Sequence, residues 1–113
     1  MRLKSSTATL ILFSLLYACT NEALPIGTSV SFSKFAPCAP DANGIDQVLQ
    51  AEKTGEGAFY KALDRFQAIT VKAGDQVTVI TALRDKVRVR LPEGSVNRLR
   101  DNTCWVARDA IAK

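Results

Sequence analysis

Apolar and polar residues follow three different patterns along this 113-residue chain. A mainly apolar run, interrupted only by Ser14, occupies residues 10–16 near the N-terminus. Apolar residues then recur at helical spacing across residues 41–66, and the spacing changes to two from about residue 67 onward. Helical spacing indicates an amphipathic helix, and alternation indicates a half-buried strand. The chain is therefore predicted to have a short apolar leader, a helical segment and a set of strands.

The helical segment divides into two apolar stripes. The first begins after Asp41 or Asn43, either of which can cap a helix N-terminus. It consists of Ile45, Val48 and Leu49, and the second stripe consists of Phe59, Ala62, Leu63 and Phe66. Two glycines in residues 54–57 separate the stripes, so we predict two short helices. We expect the aromatic stripe to pack on the domain's own sheet; a partner or membrane groove is the alternative.

Alternating residues from Ala68 to the C-terminus predict several short strands. Inward positions are predicted at Ile69, Val71, Val77, Val79, Val87, Val89 and Leu91, with a last strand at residues 104–106. Turn signals lie at residues 72–75, 84–85 and 92–95. Short strands with regular turns indicate a small barrel. A further brief strand is expected at residues 30–32, followed by a proline-rich connection.

The N-terminal apolar run has the features of an export signal. Arg2 and Lys4 precede the run, and polar residues from Thr20 end it. A membrane-spanning helix needs about 20 apolar residues, and this run is much shorter. An ordinary secretory site needs small residues at −3 and −1, which cleavage after Ala18 does not provide because Leu16 takes the −3 position.

Leu16-Tyr17-Ala18-Cys19 resembles the lipobox of bacterial lipoproteins, with Tyr17 where the family usually has a small residue. The resemblance implies that residues 1–18 are removed and that Cys19 becomes the first residue and carries diacylglycerol and usually an N-acyl chain such as palmitate. Thr20 follows the cysteine in place of Asp, which favours the periplasmic face of an outer membrane where the source has one. Simple secretion and an uncleaved anchor or cytosolic location are the alternatives.

The chain has three cysteines and no histidine. Lipidation of Cys19 leaves Cys38 and Cys104, which can pair in an oxidising compartment. Two buried free thiols are the alternative, and redox or metal chemistry fits less well because two isolated cysteines make a poor zinc site. We expect no metal and no cofactor.

The net charge of +4 falls to about +2 when Arg2 and Lys4 leave with the signal. This surplus is too small to argue for nucleic-acid binding.

Three segments resemble a bacterial SH3-like (SH3b) domain: residues 71–79, 87–91 and 104–111. They present a strand, a Gly-Asp turn, a second strand, a Val-Arg-Val-Arg strand and a final Trp-Val segment. The resemblance implies a small barrel in which Trp105 caps the barrel or lines a groove. The expected fold is α+β: a signal peptide (1–18), a lipid-anchored tether (19–40), a short helical segment (41–66) and the SH3-like barrel (67–113).

The candidate chemistry is basic. Absence of histidine excludes Ser-His-Asp and Cys-His catalysis, and no enzyme activity is expected. Alternation places Arg84, Lys86, Arg88 and Arg90 on one face of a continuous strand, with Trp105 as a further member of the partner surface. Such a surface suits anionic head groups, lipopolysaccharide or cell-wall carboxylates. The alternative is a solvated face interspersed with acidic groups.

These expectations define two candidate functions. The first is a membrane-anchored cell-envelope lipoprotein that acts as a non-catalytic binding module for peptidoglycan or an envelope protein. The second is a structural or accessory envelope protein without a small ligand, such as an exclusion-type factor.

Overall fold

The computed structural model describes residues 24–95 and 97–112. The signal peptide predicted at residues 1–18, the lipidation site Cys19 and the first part of the tether lie outside the described residues. Within the described ranges the chain forms two helices and a six-stranded antiparallel sheet. This mixture confirms the α+β class.

The elements follow one another in the order strand, strand, helix, helix and four strands. They are β1 (Ser29–Ser31), β2 (Ala36–Ala39), α1 (Ala42–Thr54), α2 (Glu56–Arg65), β3 (Ile69–Val71), β4 (Gln76–Ala82), β5 (Lys86–Arg90) and β6 (Thr103–Ala107), followed by a 3₁₀ helix (Arg108–Ala110). The spatial order of the strands is β1-β4-β5-β6-β2-β3. Because β1 and β3 form its two edges, the sheet is open, and the predicted SH3-like barrel is not confirmed.

Two strands come from the region expected to be a tether. Val30 of β1 pairs with Val77 of β4, in agreement with the brief strand predicted at residues 30–32. β2 lies between β3 and β6 in the interior of the sheet, and all four of its residues are buried. Prolines predicted a turn-rich connection there because each proline fixes its own φ and restricts the residue before it. Residues 24–40 are therefore part of the folded domain, which differs from the boundaries expected for the tether.

The helices begin and end where the sequence indicated. The Oδ1 atom of Asp41 accepts a hydrogen bond from the Gly44 N–H at 2.6 Å, so Asp41 is the N-cap of α1. Gly55, with φ of 156°, separates α1 from α2. This backbone conformation is one that side chains with a Cβ rarely adopt, which explains a helix break at glycine.

The sheet carries a hydrophobic cluster on each face. Val77, Val79, Val87 and Val89 point into the larger cluster, as their alternation predicted. The helices cover part of the opposite face, where the second cluster forms. It contains Ala39, Ile45, Val48, Phe59, Ala62, Leu63 and Ala68, with Phe66 and Trp105 packed against it. The aromatic stripe therefore packs on the domain's own sheet, as expected.

A disulfide joins Cys38 in β2 to Cys104 in β6, which confirms the predicted pairing. Both residues are fully buried in the larger cluster. The bond connects adjacent strands that are separated by 66 residues in the sequence. It therefore closes a loop that contains both helices and three strands.

Removal of the disulfide is expected to lower the free energy of unfolding by about 4 kcal/mol in the Cys38→Ala/Cys104→Ala variant, because loop closure no longer restricts the unfolded chain. Urea denaturation under non-oxidising and oxidising conditions measures the change. The unmodified protein in reductant is the control and should approach the variant. Equal midpoints for the oxidised protein and the variant would contradict a stabilising bond.

Candidate functional site

The basic residues of β5 and the tryptophan of β6 meet on one face of the sheet. Alternation turns Val87 and Val89 toward the core and leaves Lys86, Arg88 and Arg90 on the other side. The strand register pairs Arg88 with Trp105 and Arg90 with Thr103. We call the surface formed by Lys86, Arg88, Arg90, Thr103 and Trp105 the outer face. Arg84 lies in the β4–β5 turn, before β5 begins, and is not part of this face.

Lys86 connects the outer face to α1. Its Nζ donates a hydrogen bond to Oδ2 of Asp46 in α1 at 2.9 Å and lies 3.9 Å from Oδ1 of Asp85. The hydrogen bond to Asp46 is the main reason that the pKa of Lys86 is raised. Only 14% of the Lys86 side chain is exposed. Its charge is therefore used within the domain, where it connects a helix to the sheet.

Arg88 is held by the segment that leads into β6. Its Nη2 donates to Oδ2 of Asp101 at 3.2 Å and to Oγ1 of Thr103 at 3.1 Å. Its Nε is buried and has no hydrogen-bond partner among the described residues. The guanidinium is thus fixed against β6, and its charge is partly compensated.

Hydrogen bonds from Thr103 also lower the pKa of Asp101. The Thr103 hydroxyl donates to Oδ1 of Asp101 at 2.6 Å, and the Thr103 N–H donates to the same oxygen at 3.1 Å. These bonds, with the hydroxyl contributing most, lower the pKa of Asp101, and the positive charge of Arg88 acts in the same direction. Asp101 therefore places a carboxylate within the basic face.

Arg90 and Trp105 contribute the accessible part of the outer face. Arg90 is exposed and has no ion pair with any residue that the structure describes. Trp105 is half-buried, because one side of it packs against the cluster beneath the helices. The outer face is therefore basic with interspersed acidic groups, and Arg90 extends from it into solvent.

The loop between β5 and β6 is ordered by asparagine side chains. Nδ2 of Asn102 donates to the carbonyl oxygen of Leu91 at 2.7 Å, and Nδ2 of Asn97 donates to Oδ1 of Asn102 at 2.8 Å. Nη1 of Arg98 lies 3.7 Å from Oδ1 of Asp64 in α2. The loop therefore contacts α2 through Arg98 and reaches the outer face through Asp101.

A groove of about 640 Å³ runs between α1 and α2 on the solvent side. Amide and hydroxyl side chains of α1 form one wall, and basic residues of α2 form part of the other. The residues that line it include Asn43, Gln47, Gln50, Thr54, Lys61, Arg65 and Phe66. The apolar stripes in the sequence did not predict this groove, although the polar residues of α1 recur at helical spacing and so share one face.

Two kinds of feature are absent from the residues that the structure describes. No helix among them has the length and apolar character needed to cross a membrane. No cluster of three or more His, Cys, Asp or Glu side chains in the same residues could hold a metal ion.

Acidic pH is expected to weaken the contribution of Asp101 to stability. Its pKa is lower in the folded than in the unfolded protein, so the contribution is complete above the unfolded value of about 3.9 and is lost as pH falls through the folded value. Asp101→Asn should therefore flatten the dependence of unfolding free energy on pH below about 5. Chemical denaturation across a pH series measures the slope. Thr103→Val, which removes the main donor, should flatten it similarly; a wild-type slope in both variants would contradict the assignment.

Comparisons with known proteins give no relative from which a role for the outer face or the groove could be transferred. The chain matches no family model, no curated protein and no solved structure. The role of these surfaces is therefore inferred from their residues and their geometry.

Proposed function

We propose that this protein is a lipid-anchored protein of the bacterial cell envelope that acts as a non-catalytic binding module. The observation that best supports this proposal is the disulfide between Cys38 and Cys104. Since the chain has three cysteines, this bond leaves Cys19 as the remaining one, at the position where the lipobox-like segment needs it. The odd cysteine number is thereby explained by one pair and one lipidation site.

The same bond supports the proposed compartment. Disulfides form and persist in oxidising environments, which include the bacterial periplasm. An exported chain with a stable internal disulfide fits the apolar run and the positive start of the N-terminal segment. We propose the periplasmic face of an outer membrane, where the source has one, because Thr20 and not Asp follows Cys19.

The distance from the anchor to the fold is short. The described domain begins at Leu24, and Leu24 already packs against the larger cluster. Five residue steps from Cys19 span at most about 18 Å when fully extended. Two or three acyl chains on Cys19 would hold the domain firmly and close to the bilayer.

An SH3-like barrel is the finer description that we propose for the sheet. The sequence of β4, β5, β6 and the 3₁₀ helix supports it, as does a bridge between Phe32 and Ile111 beside β1. The N–H of Ser33 donates to the Ala110 carbonyl oxygen at 2.8 Å, and the N–H of Ala112 donates to the Ser31 carbonyl oxygen at 2.8 Å. The C-terminal segment thus adds along the free side of β1.

The proposed binding surface is the accessible part of the outer face, with Arg90 and Trp105 as its contact residues. Arginine forms charge-assisted hydrogen bonds with carboxylates, and a half-buried indole offers an apolar surface and one N–H donor. Carboxylate groups of the cell wall are the partner chemistry that fits best.

An accessory envelope protein without a small ligand is the second candidate. The pairing of Lys86 with Asp46 and of Arg88 with Asp101 favours it, because these pairs reduce the charge available to an anionic ligand. In this case a membrane protein would be the partner.

Intact mass of the mature protein tests the anchor. We expect the mass of residues 19–113 with acyl chains on Cys19 and the loss of two hydrogens for the Cys38–Cys104 bond. A Cys19→Ser variant is the control and should retain the N-terminal segment. A wild-type mass that includes Met1 and no acyl group would overturn the proposal.

Retention on purified cell wall tests the binding surface. Arg90→Glu should reduce retention of the lipidated protein about five- to thirtyfold, as expected for loss of about one to two kcal/mol of charged hydrogen bonding. Lys72→Glu makes the same change of charge at an exposed turn and is the matched control. Equal retention of both variants would reject the outer face as the site. Co-purification of a membrane protein without wall retention would favour the accessory role.

A further inference from the structure

We propose that the end of the sheet formed by Ile26, Leu83, Arg84 and Arg108 lies against an anionic lipid bilayer. We call these four residues the membrane-facing end. The inference rests on the proposed function, since it takes Cys19 as the lipid anchor. It adds the orientation of the domain and the lipid chemistry that it contacts.

The strand register brings the N-terminal entry and the β4–β5 turn to the same end of the sheet. β1 is antiparallel to β4, so the chain before Ser29 runs beside the second half of β4. The Gly27 N–H donates to the Val79 carbonyl oxygen at 2.7 Å, and the Val79 N–H donates to the Thr28 carbonyl oxygen at 3.0 Å. β4 then continues only to Ala82 before the turn begins.

Two exposed aliphatic side chains lie at this end. Ile26 is 71% exposed and directly precedes the residues that pair with β4. Leu83 is 45% exposed at the start of the β4–β5 turn. Side chains of this type gain free energy when they enter the apolar part of a membrane interface. The location of both beside the chain entry is what an anchored domain needs for contact with its membrane.

Two arginines and one exposed carboxylate, Asp85, lie at this end, and the net positive charge favours anionic over neutral lipid. Nη1 of Arg108 donates to the Leu83 carbonyl oxygen at 3.2 Å, and the Arg108 N–H donates to the Asp85 carbonyl oxygen at 3.0 Å. These bonds hold the Arg108 guanidinium beside the turn. Neither Arg84 nor Arg108 forms an ion pair with a residue of the described ranges. Basic residues close to a bilayer are attracted by anionic head groups.

The short connection to the anchor limits which surfaces can reach the bilayer. Five residue steps, or about 18 Å at most, separate Cys19 from Leu24. The helical pair packs against β2 and β6, whereas the chain enters beside β4. The membrane-facing end therefore lies at the end of the sheet where the chain enters from the anchor.

Hydrogen exchange of the lipidated mature protein tests the contact. The protein is compared in phosphatidylcholine vesicles with and without phosphatidylglycerol, and intact mass first establishes the acyl groups on Cys19. In the anionic vesicles we expect several-fold slower amide exchange in residues 24–28 and 81–86. The double variant Leu83→Ser/Arg84→Ser should lose this protection. Tyr60→Ser, which removes a side chain that is 56% exposed on α2, is the matched control and should keep it.

The outcomes separate this inference from the proposed function. A lipidated protein whose exchange is the same in both kinds of vesicle overturns the membrane-facing end and leaves the anchor intact. Loss of protection in Tyr60→Ser as well as in the double variant also overturns it. A chain without acyl groups and without protection overturns both proposals.

Discussion

The bond between Cys38 and Cys104 holds the centre of the sheet together. β2 is a short interior strand that contains Pro37, which has no N–H to donate to its neighbours. A four-residue strand with this defect depends on other contacts to stay between β3 and β6. The disulfide supplies one that is covalent and fully buried. Because α1 begins three residues after β2 ends, the position of the helical pair on the sheet depends on this bond as well.

Both ion pairs and apolar contacts hold the helices on the sheet. The pair between Lys86 and Asp46 links α1 to β5, and the pair between Arg98 and Asp64 links α2 to the loop before β6. Partly exposed pairs of this kind contribute at most about 1 kcal/mol each. The second hydrophobic cluster therefore contributes most of the free energy that holds the helices on the sheet, and the ion pairs set the orientation of the helices.

The parts of the fold that the sequence predicted are those governed by local patterns. The valines of β4 and β5 alternate with polar residues, and Asp41 precedes an apolar stripe. Strands β4 and β5 and helix α1 were therefore predictable from the sequence. β2 was not, because its residues are buried on both faces and do not alternate, and its partners lie far away in the sequence. The basic surface predicted from the sequence lacked its acidic residues for the same reason. Asp46 and Asp101 reach the cations of β5 from other elements, and only the folded chain brings them together.

The pairing of β2 with β3 has a consequence for how the domain can change. Cys38 lies opposite Ile69, so the two ends of the intervening segment, which contains both helices, are adjacent in the sheet. The helical pair is thus an insertion between β2 and β3, whose ends lie side by side in the sheet. Loop-closure entropy rises only slowly with length. Substitutions or insertions at the turn around Gly55 are therefore expected to reshape the groove between the helices while the strand order stays the same. The helical pair is thus the part of the domain best suited to acquire new binding specificity.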